Sequence, residues 1–306
     1  MEGPGATDSP EVEGAVRSFR RNLIARGLSH PFAVFRFWRE TARIRQGNQA
    51  HSTKIRELRQ SAKTAQQVVS LILNFHDGNP YASTVEKLYP GARDQVFRAY
   101  DYDPEQGGGR RPSVIDPGDA LILYSLVRES RPDLVIETGV SDGMSSLMIL
   151  QALQENGHGL LCSIDLPEVG MPAIYGLAPG WLVPAQLRSQ WQLFLGDSTA
   201  LLPGLIDRVG VPDLFFHDSE HSYEAMLREF REVLRAGLRP VGSQPKPVGN
   251  SLPLYVCSDD ANDNDALIDA LSDIRTVQSR DLYDVNMTME GFGVLSLRSE
   301  ERRNLS

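Results

Sequence analysis

The chain has 306 residues, 41% of them hydrophobic, and its 31 Lys/Arg against 40 Asp/Glu give a formal net charge of −9. That length and apolar fraction suffice for a full buried core, and the negative balance argues against a nucleic-acid backbone as partner. No run of about 18 apolar residues is available to span a bilayer, and the polar start Met1-Glu2-Gly3-Pro4 leads into no signal-peptide pattern, so a cytoplasmic location is expected.

The charge is uneven. Between Arg17 and Gln60 eleven Lys/Arg stand against two acids, which leaves 20 − 38 = −18 for the remainder. Val12, Val16, Phe19 and Leu23 recur at helical spacing, and Phe32, Phe35, Phe37 and Trp38 cluster beyond them. The segment reads as helices outside a sheet domain. Three roles suit it: packing on its own acidic domain or on another subunit's, which is preferred; covering a substrate pocket; or lying peripherally on an anionic membrane surface. Its amphipathic character favours a homo-oligomer, at least a dimer.

From residue 113 the pattern changes. Asp116 to Glu129 is a predicted helix, and Leu134-Val135-Ile136-Glu137-Thr138-Gly139-Val140-Ser141-Asp142-Gly143 then runs from an apolar strand into an acid and two glycines four apart. A helix follows from Met144. Strand, tight turn and helix N-terminus together receive the polar end of a nucleotide-like ligand. Gly139 and Gly143 let the backbone turn sharply and approach the ligand. A dinucleotide fingerprint needs G-x-G-x-x-G, and here Ser141 occupies the middle position.

Four more apolar runs follow, each with polar residues at its C-terminal end: Leu160–Asp165, Phe194-Leu195 before Gly196-Asp197-Ser198, Asp213–Phe216 before His217-Asp218-Ser219-Glu220-His221, and Leu254–Ser258 before Asp259-Asp260. In an open α/β sheet, ligands sit outside the carboxyl ends of the strands. Predicted helices at Pro184–Trp191, Ala200–Val209, Tyr223–Leu234 and Ala266–Ser272 separate these runs, which implies parallel strands joined by crossovers. Asp281–Val285 and Gly291–Leu297 are too close together for a crossover helix and read as an antiparallel hairpin at the sheet edge. Leu166 to Pro184 is rich in Gly and Pro, with Met171, Tyr175 and Trp181 interspersed, and reads as a lid over the strand ends. Arg239 to Asn250 is a Pro-rich insert expected to loop out on the surface. Cys162 and Cys257 fall inside strand runs and are expected to be buried free thiols.

Glu137, Gly139 and Gly143 in this spacing resemble the first motif of class I S-adenosylmethionine (SAM) methyltransferases, and the C-terminal hairpin resembles the way that family closes its sheet. The resemblance covers residues 113–298. Its most specific part, His217-Asp218-Ser219-Glu220-His221-Ser222-Tyr223-Glu224, is similar to a segment of the macrocin O-methyltransferase and cephalosporin-hydroxylase-like group. It implies an α/β fold with a Rossmann-like doubly wound sheet, mostly parallel with a C-terminal antiparallel hairpin. Residues 113–306 form the SAM-binding catalytic domain in that reading, and 1–112 an N-terminal helical extension. SAM would lie over Glu137, Gly139, Ser141 and Gly143, with Ser145 on its methionine carboxylate, Asp165 on its ribose and Asp197 or Ser198 at its adenine. Asp218, Asp259 and Asp260 match the Mg²⁺ ligands of catechol O-methyltransferase, with Asp260 in place of an asparagine, and hard oxygen donors suit that ion. His221, three residues after Asp218, takes the place of the general base, with His217 as the alternative. The implied reaction is O-methylation of a small hydroxylated molecule, a sugar or natural product. A metal-free O- or N-methyltransferase and a non-catalytic SAM- or nucleotide-binding module are the other readings. Asp218 can instead cap a helix, and Asp259–Asp265 can be a solvated acidic loop, though not an EF-hand, because it lacks the glycine and glutamate of that pattern.

Overall fold

The computed structural model describes residues 48, 54–105, 112, 114–166, 171–238, 253–278 and 282–300. The amphipathic repeat and the aromatic cluster of the first 40 residues, and the insert 239–250, lie outside these.

Helices α1 (Ile55–Gln60), α2 (Ala65–Leu73), α3 (Ala82–Ala99) and α4 (Pro117–Ser130) precede the first strand. Then β1 (Leu134–Thr138), α5 (Met144–Asn156), β2 (Leu160–Asp165), the short α6 (Met171–Tyr175) and a 3-10 helix (Ala185–Gln190) follow. After them come β3 (Trp191–Leu195), α7 (Ser198–Val209), β4 (Leu214–His217), α8 (Tyr223–Ala236), β5 (Tyr255–Ser258), α9 (Ala266–Gln278), β6 (Tyr283–Met287) and β7 (Gly293–Leu297). The seven strands form one sheet in the order β3-β2-β1-β4-β5-β7-β6. All neighbours are parallel except β7, which runs antiparallel to both β5 and β6. The α/β sheet with its terminal hairpin is the architecture that the sequence pattern implied.

Strands covered on both faces read as unbroken apolar runs, and β1, β4 and β5 are buried at every residue. Alternate side chains serve opposite layers. Val135, Leu214, Phe216, Tyr255 and Cys257 pack with α2, α3, α4 and α5. Ile136, Phe215 and Val256 pack with α1, α7, α8 and α9 on the other face. The described N-terminal helices are thus built into the two core layers. Both cysteines are buried free thiols.

The segment expected as an α-helix over Pro184–Trp191 is instead a single 3-10 helix, and Trp191 already begins β3. Trp191 explains the difference. Its indole N–H donates to Ser163 Oγ at 2.9 Å, and its ring lies so close to Gly180 that a Cβ there would meet it at 2.2 Å. The side chain is claimed by the sheet edge, so the preceding turn tightens rather than continuing as a helix. The last helix runs on to Gln278, past the Ser272 expected from the sequence.

The described end of the basic segment, residue 48 and residues 54–60, docks on the acidic loop behind β5. The buried amide of Ile55 donates to Asp265 Oδ1 at 2.8 Å, Lys54 pairs with Asp269, and Arg59 donates to the Asn262 carbonyl. Asn48 bridges the carbonyl of His221 and the amide of Tyr223. Farther on, Lys63 exchanges backbone hydrogen bonds with the β6 edge, its amide donating to Met287 at 3.0 Å and its carbonyl accepting from Met289 at 2.9 Å. Removing the carboxylate that satisfies a buried amide leaves that amide unpaired. Asp265→Ala should therefore cost about 1–3 kcal/mol in urea unfolding; a loss below about 0.5 kcal/mol would show that this clamp is incidental.

Candidate active site

The C-terminal ends of β1, β2, β4 and β5 converge on the turn after β1. Gly139 has φ +84°, and a Cβ on it would fall 1.8 Å from the carbonyl oxygen of Asp218. The exit of β4 thus lies directly on the turn, and the Asp218 amide donates to Thr138 O at 2.7 Å. Gly143, at φ +94°, begins α5, where a Cβ would meet Gly180 Cα at 2.9 Å. No side chain caps the first amides of α5, which leaves them open to an anionic group.

Glu137 does not face the turn. It is fully buried and accepts from Ser145 and Ser146 at 2.6 Å and from Ser163 at 2.7 Å. Burial pushes its carboxyl up to about 7 against the pull of these hydroxyls. The Ser145 hydroxyl is therefore turned onto Glu137. Asp165, at the tip of β2, accepts from the amides of Ser141 at 3.2 Å and of Leu166 at 2.8 Å, and burial raises its carboxyl to about 6. Ser141 itself holds a left-handed φ of +49°. Asp197 caps α7, accepting from the Thr199 and Ala200 amides at 2.8 and 3.3 Å. Ser198 turns inward to donate to Glu229.

Glu229, from α8, ties the strand ends together. It accepts from Thr138 Oγ1 at 2.6 Å and Ser219 Oγ at 2.9 Å as well as from Ser198, and His217 Nδ1 lies 2.9 Å away. Burial works to raise its pKa, but the field of His217 and the hydroxyl donors outweigh it and hold the carboxyl below the usual range. The far nitrogen of His217, Nε2, is buried without a hydrogen-bond partner among the described residues.

Above this network stand the acids that end β4 and β5. Pairing of His217 with Ser258 across the two strands sets Asp218 and Asp259 at one level. One ligand atom from each of Asp218, His221 and Asp259 falls within a 4.8 Å group, and His221, Asp260 and Asp263 form a second such group. His221 lies between carboxylates, its Nδ1 3.0 Å from Asp260 Oδ2 and its Nε2 3.5 Å from Asp218 Oδ1. Burial works to lower its pKa, but hydrogen bonds to Asp218 and Asp260 raise it well above 6.5. Asp260, at a left-handed φ of +46°, is held below the usual carboxylate range by its hydrogen bond to His221. Asp259 moves the opposite way. Desolvation and the charges of Asp218 and Asp260 push it well up. Asp218, His221, Asp259 and Asp260 are thus brought together, and His217 sits beneath them with its ring centroid 5.5 Å from that of His221.

The expected lid rests on the glycine turn over its described residues. Gly180 N–H donates to Ser141 O at 2.8 Å, Leu182 N–H to Asp142 O at 3.1 Å, and Trp181 Nε1 to Asp142 Oδ1 at 2.6 Å. Tyr100, the C-cap of α3, also donates to Asp142 Oδ1. Sequence reasoning missed Asn48, Asp119, Asp142 and Glu229 as site residues. Asp119 and Asp142 each bury one carboxyl oxygen without a partner among the described residues.

A family model described as a methyltransferase domain matches residues 136–242, from within β1 past the end of α8. That stretch is similar to a methyltransferase domain. No curated protein matches the chain. Among solved structures, an SAH-bound methyltransferase of Podospora anserina is similar at 12% identity and a TM-score of 0.44, covering 74% of this chain and 99% of that one. The SAM-bound O-methyltransferase TomG of Streptomyces achromogenes, involved in tomaymycin synthesis, is similar at 18% identity and a TM-score of 0.43 over 79% and 99% of the two chains. An O-methyltransferase of Bacillus cereus in complex with SAH is similar at 15% identity and a TM-score of 0.44 over 78% and 100%.

The His221 sandwich has a pH signature. A histidine raised from about 6.5 in the unfolded chain contributes stability that is full below that value and is lost as pH rises through its folded pKa. In chelator-treated protein, the stability difference between wild type and His221→Gln should shrink as pH climbs above about 6.5. A constant difference across that range would contradict the paired imidazolium.

Proposed function

We propose that this chain is a SAM-dependent methyltransferase that methylates a hydroxyl oxygen of a small molecule, with a divalent cation, Mg²⁺ by its oxygen donors, beside the acceptor. The observation that carries the reading is the level placement of Asp218 and Asp259 next to the glycine turn. A methyl donor and a cation site are needed side by side for this chemistry.

The donor set fits a hard cation. Asp259 is desolvated and repelled by Asp218 and Asp260, so a positive ion there relieves a cost already present in the fold. Asp218 and Asp259 would hold it, joined by Asp260 if that carboxylate leaves His221. When bound, such an ion supplies Lewis acidity that lowers the pKa of a nearby hydroxyl, and SAM supplies a methyl group on a sulfonium.

The remaining work belongs to the chain's own residues. The turn at Gly139 to Gly143 admits the methionine end close to the backbone, and the free amides of α5 favour its carboxylate. Asp165 stands to accept hydrogen bonds from ribose hydroxyls. Its desolvated carboxyl gains donors in doing so. Asp197 fixes the turn before α7, where the adenine would lie. His221 would take the acceptor proton as the neutral imidazole, a form favoured once a cation engages the Asp218 carboxylate that holds the imidazolium, and its tie to Asp260 would keep the ring oriented.

Two expectations follow. His221→Ala should lower methyl transfer to a vicinal-diol acceptor by about 10²–10⁴ with SAM affinity intact in calorimetry; unchanged turnover would reject the base assignment. Mg²⁺ should raise the thermal midpoint of the wild type. Asp259→Asn, which removes an anionic ligand, should abolish the Mg²⁺ shift. A Mg²⁺ shift that survives this substitution would place the cation elsewhere.

A further inference from the structure

A further acid lies within electrostatic reach of this site from outside the matched stretch. Asp119 lies in the first turn of α4 and is 2% exposed. Its Oδ1 is buried with no hydrogen-bond partner among the described residues. An unfilled acceptor of this kind is costly and uncommon in a folded protein.

Packing fixes where it stands. A Cβ on the preceding residue, Gly118, would lie 2.8 Å from the Cβ of Ala65, which puts the start of α4 against the start of α2. Two residues earlier, Lys63 is paired through its backbone with Met287 and Met289 on the β6–β7 hairpin. The starts of α2 and α4 and the hairpin turn thus meet beside the end of β5. The charges acting most strongly on Asp119 are those of Asp116, Glu290 and Asp218, all acids. Asp259 in turn feels Asp119. Burial and these neighbours raise its carboxyl to about 8.

The acids differ in exposure. Glu290 is exposed, Asp116, Asp218 and Asp259 are half-buried, and Asp119 is the most buried. A cation on Asp218 and Asp259 would neutralise those two and leave Asp116, Asp119 and Glu290 unmatched. Such a cluster attracts positive charge and repels negative charge.

We propose that the methyl acceptor carries a cationic nitrogen, an ammonium or guanidinium, and that Asp119 receives it through its unfilled Oδ1 while the hydroxyl to be methylated lies at Asp218 and Asp259. This rests on the methyltransferase reading of the same site. Glu290 and Asp116 steer the charge inward, and Asp119 fixes the distance between the cationic nitrogen and the reacting oxygen. A neutral acceptor offers Asp119 only an uncharged donor, and an anionic one is repelled.

Three vicinal diols that differ in one group test this on the full-length chain: 3,4-dihydroxybenzylamine, 3,4-dihydroxybenzyl alcohol and 3,4-dihydroxybenzoate. Each is titrated by calorimetry into protein loaded with S-adenosylhomocysteine and Mg²⁺. The amine should bind about tenfold more tightly than the alcohol, and the benzoate most weakly. Asp119→Asn, of nearly the same shape, should bring amine and alcohol to within about twofold while S-adenosylhomocysteine affinity stays unchanged. Glu290→Gln, at an exposed position, should reduce the preference in part. S-adenosylhomocysteine binding without a preference for the amine, or a preference that survives Asp119→Asn, overturns the proposal alone. Failure of S-adenosylhomocysteine to bind overturns the methyltransferase reading and the proposal with it.

Discussion

A side chain at residue 139 has nowhere to go. The carbonyl of Asp218 occupies the place of its Cβ, and the positive φ of the turn disfavours any L side chain. That single steric constraint lets the exit of β4 lie on the turn after β1. It brings a cofactor-type turn and a metal-type carboxylate into one neighbourhood without either side chain reaching far. Pairing of β4 with β5 then adds Asp259 and Asp260 at the same level.

Two buried carboxylates show how environment divides the labour. Glu229 is enclosed by hydroxyl donors and His217 and stays charged, so it can hold three strand ends in register. Asp259 is desolvated among like charges and is pushed toward its neutral form. The first is a satisfied structural acid. The second is an acid in want of a positive charge, the condition expected where function rather than stability sets the arrangement.

The strands, their order of polar ends and the closing hairpin were legible because each carries a local signal: an apolar run, a polar tip, or too little chain for a crossover helix. The acids at 218, 259 and 260 were legible for the same reason, since each directly follows such a run. Glu229, Asp119 and Asp142 were not. Each is a lone polar residue in a helix or turn, and its role comes from partners far along the chain, such as Thr138 for Glu229 and Trp181 for Asp142. Ser145 had the right position, but the pull of the buried Glu137 decides where its hydroxyl points. The 3-10 helix before β3 escaped because Trp191 is claimed by contacts to Gly180 and Ser163 that local propensity does not encode.

In the proposed reaction one set of strand tips holds both the methyl donor and a divalent cation. A crystal grown with S-adenosylhomocysteine and Mn²⁺, with anomalous data collected for the metal, is the decisive test. A single strong anomalous peak bonded to Asp218 and Asp259 is expected, with the nucleoside ribose on Asp165 and its amino-acid end at Gly139. A peak remote from those carboxylates, or a nucleoside bound away from the glycine turn, would contradict it.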